Sequence, residues 1–127
     1  MALTILVVDD SPLIRAVLAK SLRLSGLDLA EVHQAGHGGE ALTILEQEPI
    51  DLLLTDIHMP EVDGMTLLKT LADQGRLTTL PVLVISSDRS HERREELQAL
   101  GVDHFLTKPF SPDAVRAGVE EALGAGA

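Results

Sequence analysis

Five short runs rich in Leu, Ile and Val recur along the chain, at residues 3–8, 29–33, 51–55, 81–85 and 102–106, and each is followed by a segment of helical periodicity. This alternation constrains the fold more than any other feature. The first, third and fourth runs are nearly continuous in branched apolar residues, as expected of strands buried on both faces of a parallel sheet. Parallel strands need crossover connections, and right-handed crossovers leave few topologies. The pattern therefore predicts an α/β domain: a doubly wound five-stranded parallel sheet, order 2-1-3-4-5, with five helices on two faces.

The helical segments carry their own boundary signals. Residues 12–24 put Ile14, Val17, Leu18 and Leu22 at helical spacing, with Ser11 as cap, Pro12 in the first turn and Gly26 as stop. Residues 39–47 turn Ala41, Leu42 and Leu45 inward, and residues 65–74 turn Leu67, Leu68 and Leu71 inward before Gly75. Residues 89–100 are strongly polar and end at Gly101, and residues 112–123 follow Ser111 as cap. The 127 residues suit one domain, expected over residues 1–123 with 124–127 as a flexible tail.

Composition removes several function classes. With no cysteine there is no disulfide framework and no thiolate metal site, which fits a reducing cytoplasm. The apolar start lacks a preceding basic region and is ended by Asp9 and Asp10, so it does not read as a signal peptide. No run approaches the ~18 apolar residues of a membrane span, and a cytoplasmic location away from membranes is expected. The formal net charge of -10 disfavours direct nucleic-acid binding. Phe105 and Phe110 are the sole aromatics, which argues against base stacking and a stacked flavin.

In an open parallel sheet, ligands bind at the carboxyl ends of the strands near the switch in strand order. Here those ends carry Asp9 and Asp10 (strand 1), Asp56 (strand 3), Ser86, Ser87 and Asp88 (strand 4), and Thr107, Lys108 and Pro109 (strand 5). Each alone has an ordinary explanation: an acidic pair often caps a helix, and a loop Ser is commonly just hydrogen-bonded. Their joint fall at the ends of alternating strands points to one site. Strands 1 and 3 are neighbours in this order, so three carboxylates converge and repel. A hard divalent cation with oxygen ligands resolves the repulsion, and Mg²⁺ is the natural choice. A metal, the Lys108 ammonium and the Ser86 hydroxyl around a carboxylate would stabilise a transferring phosphoryl group, with Asp56 as nucleophile.

These residues resemble the receiver domains of two-component response regulators, of the single-domain chemotaxis-regulator kind. The resemblance rests on the strand running into Asp9-Asp10-Ser11-Pro12, on Asp56-Ile57-His58-Met59-Pro60 with Asp63-Gly64 after it, on Ser86, and on Lys108-Pro109-Phe110. It implies a flavodoxin-like fold and assigns roles by position. Asp56 matches the phosphoacceptor. Asp10 and Asp56 match direct Mg²⁺ ligands, Asp9 a ligand through water, and the His58 main-chain carbonyl the remaining protein ligand. Ser86 matches the hydroxyl that bonds a phosphoryl oxygen, Lys108 the lysine that pairs with it, and Phe105 the aromatic switch. The Lys108-Pro109 bond matches one that is cis in the family.

The implied partners are a histidine kinase or histidine phosphotransfer protein upstream and an unnamed protein downstream, met through the helix 4–strand 5–helix 5 face. The implied state is a monomer or a phosphorylation-dependent dimer. The chain is expected to be a phosphoacceptor switch with self-catalysed transfer and dephosphorylation, not a turnover enzyme. Two departures stand out. Phe105 replaces the Tyr of many members and cannot donate a hydroxyl hydrogen bond, and Ser86 replaces Thr. His58 and Asp88 lie where dephosphorylation rate is set in the family, although Asp88 also suits a helix cap. A magnesium-dependent phosphatase with an Asp nucleophile is the rival, but it would want D-x-D after strand 1. A flavin-binding protein of this fold would want a hydroxyl-rich loop there.

Several residues read as structural. His33, His37, His91 and His104 lack metal-ligand spacing and are expected at the surface. Residues 36–39 lack a nucleotide-binding pattern and read as a loop. Arg89, Arg93 and Arg94 interleave with Glu92, Glu95 and Glu96 and read as a self-paired solvated face, with a partner contact as the minority alternative. Gly118 inside a helix suggests close packing on the sheet or at an interface.

Overall fold

The five strands are β1 (Leu3–Val8), β2 (Leu29–Ala35), β3 (Leu52–Thr55), β4 (Val82–Ser86) and β5 (Phe105–Thr107), and they pair in parallel in the order β2-β1-β3-β4-β5. The helices are α1 (Pro12–Leu24), α2 (Gly38–Gln47), α3 (Gly64–Asp73), α4 (His91–Ala99) and α5 (Pro112–Ala125), with a 3-10 turn at Arg76–Thr78. This is the flavodoxin-like arrangement that the alternation predicts. The computed structural model describes residues 2–57, 64–86, 91–108 and 110–125, and for Ser86, residues 91–93 and Ala125 it describes the main chain alone. Among the described residues no helix is long and apolar enough to cross a membrane.

The near-continuous strands are buried on both faces because successive side chains point to opposite sides. Ile5, Val7, Leu52, Leu54, Leu83 and Ile85 face α1 and α5, meeting Leu18, Leu22, Val115 and Val119. Leu6, Val8, Leu53, Val82 and Val84 face the other way and meet Ala41 and Leu45 of α2, Leu68 and Leu71 of α3, and Leu97 of α4. Full burial of each such side chain contributes about 1.5–3 kcal/mol.

The structure moves some expected boundaries for identifiable reasons. Strand 5 begins at Phe105, not at Val102. Val102 is buried, but it belongs to the end of α4. Its N–H donates to the Leu97 carbonyl (2.9 Å), the Gly101 N–H donates to Gln98 (3.0 Å), and Gly101 takes φ of 97°. That is a Schellman termination, whose hydrophobic contact is the Leu97–Val102 pair in the core. Val17, expected inward, is 43 % exposed, because the buried stripe of α1 runs through Leu18 and Leu22. Leu13 (71 %) and Leu24 (65 %) share its outward side. β2 extends through Ala35, and α5 runs through Ala125, two residues past the expected helix end. Of the expected helix over 89–100, the start lies outside the described residues.

Contacts decide the expectations for three further residues. His37 is no plain surface residue: its Nδ1 accepts the Gly39 N–H (3.1 Å) and caps α2, so residues 38–39 open a helix. His33 is half-buried and pairs with Glu31 at 3.0 Å. A Cβ on Gly118 would lie 3.0 Å from Leu83 of β4, so this glycine serves close packing of α5 on the sheet.

Candidate functional site

The ladder of the sheet places the acids. Asp9 is the first residue past β1, and its N–H donates to the Ala35 carbonyl of β2 (3.1 Å). Asp56 is the first residue past β3, and its N–H donates to Val8 of β1 (2.9 Å). Both backbones are thus fixed by strand-type hydrogen bonds, and the side chains project from the carboxyl edge. Asp9 and Asp56 are buried, and Asp10 is exposed. One carboxylate oxygen from each of Asp9, Asp10 and Asp56 lies within 4.8 Å of those of the other two.

Lys108, the first residue past β5, reaches across the end of β4 to both buried acids. Its Nζ donates to Asp9 Oδ2 (3.0 Å) and to Asp56 Oδ2 (3.2 Å). The other oxygens are held by the main chain: Asp9 Oδ1 accepts from Ser11 N–H (3.0 Å), and Asp56 Oδ1 from Ile57 N–H (2.7 Å). Burial raises the Asp56 pKa above the ordinary carboxylate range; the Lys108 charge opposes this and the Asp9 charge adds to it. Burial works against the Lys108 charge too, but its hydrogen bond to Asp9 and the charges of Asp56 and Asp9 hold its pKa above that of a free lysine.

The donor set is all oxygen, and its charge is unbalanced. Three carboxylates and one ammonium leave a formal charge of −2, which a divalent cation neutralises. Asp9, with both oxygens engaged, suits a supporting place, while Asp10 at the surface and Asp56 are the carboxylates a small ion would meet. The residues therefore fit a hard divalent cation.

Of the other expected site residues, Ser86 ends β4 opposite Thr107 in the register, which puts it on the same edge. His58, Asp88 and the Lys108-Pro109 bond fall outside the described residues. Phe105 begins β5, is half-buried, and lies under the Arg94 guanidinium at 5.0 Å from carbon to ring centre.

Two residues have no role in the sequence reading, where Gly64 appears only within the motif and Arg15 not at all. Arg15 of α1 donates to the Asp9 carbonyl (2.6 Å) and anchors the acidic turn from beneath. Gly64 donates its N–H to the Ile57 carbonyl (2.9 Å), and a Cβ there would stand 2.2 Å from the Asp56 carbonyl oxygen and 2.7 Å from Ile57 Cα. The start of α3 is thereby pressed against the backbone that carries Asp56. The signals were an Arg one turn into a helix that opens at the acids, and a Gly after the Asp56 segment. A separate cavity of about 510 Å³, lined by Leu77, Leu80, Val102 and Leu123 among others, lies at the amino ends of β4 and β5, away from the acids.

The response regulator receiver domain model matches residues 5–120 of the chain. The chain belongs to the response regulator receiver domain family. Similar proteins include the chemotaxis protein CheY homolog of Campylobacter jejuni, 33% identical over 125 residues, with 96% of this chain and 93% of that protein covered. The two-component response regulator ORR5 of rice is 37% identical over 112 residues, covering 87% of this chain and 81% of that one. Among solved structures, the receiver domain of the Francisella response regulator 1452 superimposes with a TM-score of 0.83 at 32% identity, covering 98% of this chain and 99% of the other. The carboxylate trio and Lys108 are therefore the acidic edge of a receiver domain of the two-component, CheY-like kind.

Proposed function

We propose that this receiver accepts a phosphoryl group on Asp56 from a phosphohistidine donor protein and returns it to water, working as a switch and not as a turnover enzyme. The observation that carries this is Lys108 Nζ bridging Asp9 and Asp56 beside a third carboxylate. Lys108 holds the Asp56 carboxylate where the Ile57 N–H fixes its other oxygen, so the nucleophile is oriented before the donor arrives. An Asp56 oxygen attacks phosphorus and the P–O bond forms as the donor's P–N bond breaks; the electron pair of that bond goes to the ring nitrogen, which leaves as neutral imidazole because the other ring nitrogen of the phosphohistidine already carries a proton. Lys108 then shares its charge with the new phosphoryl oxygens. The Ser86 hydroxyl, at the end of the intervening strand, is the further donor to that group. Asp10 and Asp56, with Asp9 behind them and the His58 carbonyl as the family has it, would hold Mg²⁺, which supplies positive charge to the phosphoryl oxygens when bound.

The donor is a histidine kinase or a histidine phosphotransfer protein. Leu13, Val17 and Leu24 give it an apolar track along α1, beginning one turn from Asp10. The output passes through Phe105 to the face made by α4, β5 and α5, whose partner is a protein. The test is Mg²⁺-dependent labelling by acetyl phosphate. One phosphoryl group per chain, labile to alkali and to hydroxylamine, is expected, lost on Asp56→Ala. Normal labelling of that variant, or steady turnover of phosphate esters by the purified chain, overturns the reading.

A further inference from the structure

Arg94 reads in the sequence as one charge of a self-paired helical face, yet the structure sets it over the ring at the switch position. Its guanidinium carbon lies 5.0 Å from the Phe105 centroid, within the ~6 Å range of a cation–π contact. The geometry of α4 explains the pairing. Leu97, one turn later, is buried against the sheet, and residues three apart share a helix face. Arg94 therefore leans over the same side of α4 and ends above β5, where Phe105 is half-buried at the edge of the core.

The chemistry of this ring makes the contact consequential. Phe105 has no hydroxyl, so no hydrogen bond can hold the ring edge toward solvent. An unanchored phenyl ring at the border of the core gains by turning inward. Among the described residues, the guanidinium over its face is a contact that favours this half-buried, outer position over full burial.

We propose that Arg94 is a positioning residue for the switch: its cation–π seat holds Phe105 outward, and inward turning of the ring requires that seat to be given up. The inference rests on the receiver reading of Asp56 and adds to it a threshold set by α4. Removing an exposed cation–π contact shifts the outward-to-inward ratio about two- to five-fold. Linkage caps the gain in affinity for a phosphoryl mimic at the same factor, since a ligand shifts an equilibrium only by its differential affinity.

The chain has two Phe and no Tyr or Trp, so protein labelled with 4-fluorophenylalanine gives two ¹⁹F resonances, assigned by Phe105→Leu. Spectra are recorded free and with beryllofluoride and Mg²⁺, for the wild type, Arg94→Met and Arg94→Lys. In Arg94→Met the free Phe105 resonance is expected to move toward its beryllofluoride-bound position, and half-saturation to fall about two- to five-fold, with Arg94→Lys between. An Arg94→Met protein with the wild-type Phe105 resonance and half-saturation, while acetyl phosphate still labels Asp56, overturns the latch alone. A wild type that acetyl phosphate does not label overturns the receiver reading and the latch with it.

Discussion

Gly64→Ala tests how tightly the phosphoacceptor strand is clamped by the helix that follows it. The new methyl would stand 2.2 Å from the Asp56 carbonyl oxygen and 2.7 Å from Ile57 Cα. Close carbon–oxygen contacts in proteins lie near 3.3–3.6 Å, so the backbones must part by about 1 Å. Neither neighbour is the tip of a flexible side chain, so the movement falls on main chain. Overpacking of this sort costs about 1–3 kcal/mol. The Gly64 N–H to Ile57 bond is strained or lost, costing about 1 kcal/mol more. Replacing Gly at a helix start returns less than ~1 kcal/mol. The net loss is about 1–3 kcal/mol.

With an unfolding entropy of about 2.1 cal/mol/K per residue, a chain of this size loses roughly 4 °C of Tm per kcal/mol, so a drop of about 4–12 °C is expected. Far-UV circular dichroism reads it, since the chain has no Trp or Tyr. Labelling by acetyl phosphate should fall by up to about 10²-fold, because a shift near 1 Å at the nucleophile destroys alignment. Gly124→Ala is the control, with nothing within 4 Å of its Cβ. If Gly64→Ala melts alongside that control and labels at the wild-type rate, the clamp has no energetic content.

Other outcomes follow from the same geometry. In chelator, Asp56→Asn should stabilise the protein at neutral pH: the folded-state pKa is raised above 3.8, so the contribution of Asp56 falls as pH rises through that range, and the gain of the Asn variant should vanish near pH 3.8, as a pH series of melts would show. Mg²⁺ at a hundred times its Kd should stabilise the wild type by about 2.7 kcal/mol, and the effect should be lost in Asp10→Ala. Lys108→Met should slow acetyl phosphate labelling about 10²-fold, the usual cost of removing one charge-stabilising donor, measured under single-turnover conditions. Leu13→Gln with Val17→Gln should weaken transfer from a phosphohistidine donor about ten-fold and leave acetyl phosphate labelling unchanged, which separates docking from chemistry.

The order of the sheet and the place of the acids were legible because both follow from local pattern. Doubly buried strands must be apolar throughout, and the residue after each strand stands at the carboxyl edge whatever the loops do. What was not legible depends on contacts far apart in sequence. Val102 looked like strand because it is apolar and buried, yet its backbone completes the termination of α4. The outward turn of Val17 was hidden because α1 has apolar residues on more than one side. Arg15, Gly64 and the seat of Arg94 over Phe105 appear only once α1, α3 and α4 are docked. A pattern of charges on one helix cannot say which aromatic, many residues later, comes to lie beneath it.

The charge imbalance at the edge of the sheet connects these parts. Lys108 divides itself between Asp9 and Asp56, and neither acid has it alone. A phosphoryl group on Asp56 would add charge next to that ammonium and compete with Asp9 for it. Lys108 is attached to β5, and Phe105 begins the same strand three residues earlier. Across the sheet, Ser86 stands opposite Thr107 and Val84 opposite Phe105. A pull on Lys108 or on Ser86 therefore reaches the ring through one short strand or one rung of the ladder. Arg94 opposes that pull from the other side, on α4. On the proposed reading the switch needs no long pathway: Lys108 directly follows the three-residue strand that Phe105 begins, and Arg94 of α4 lies over that ring.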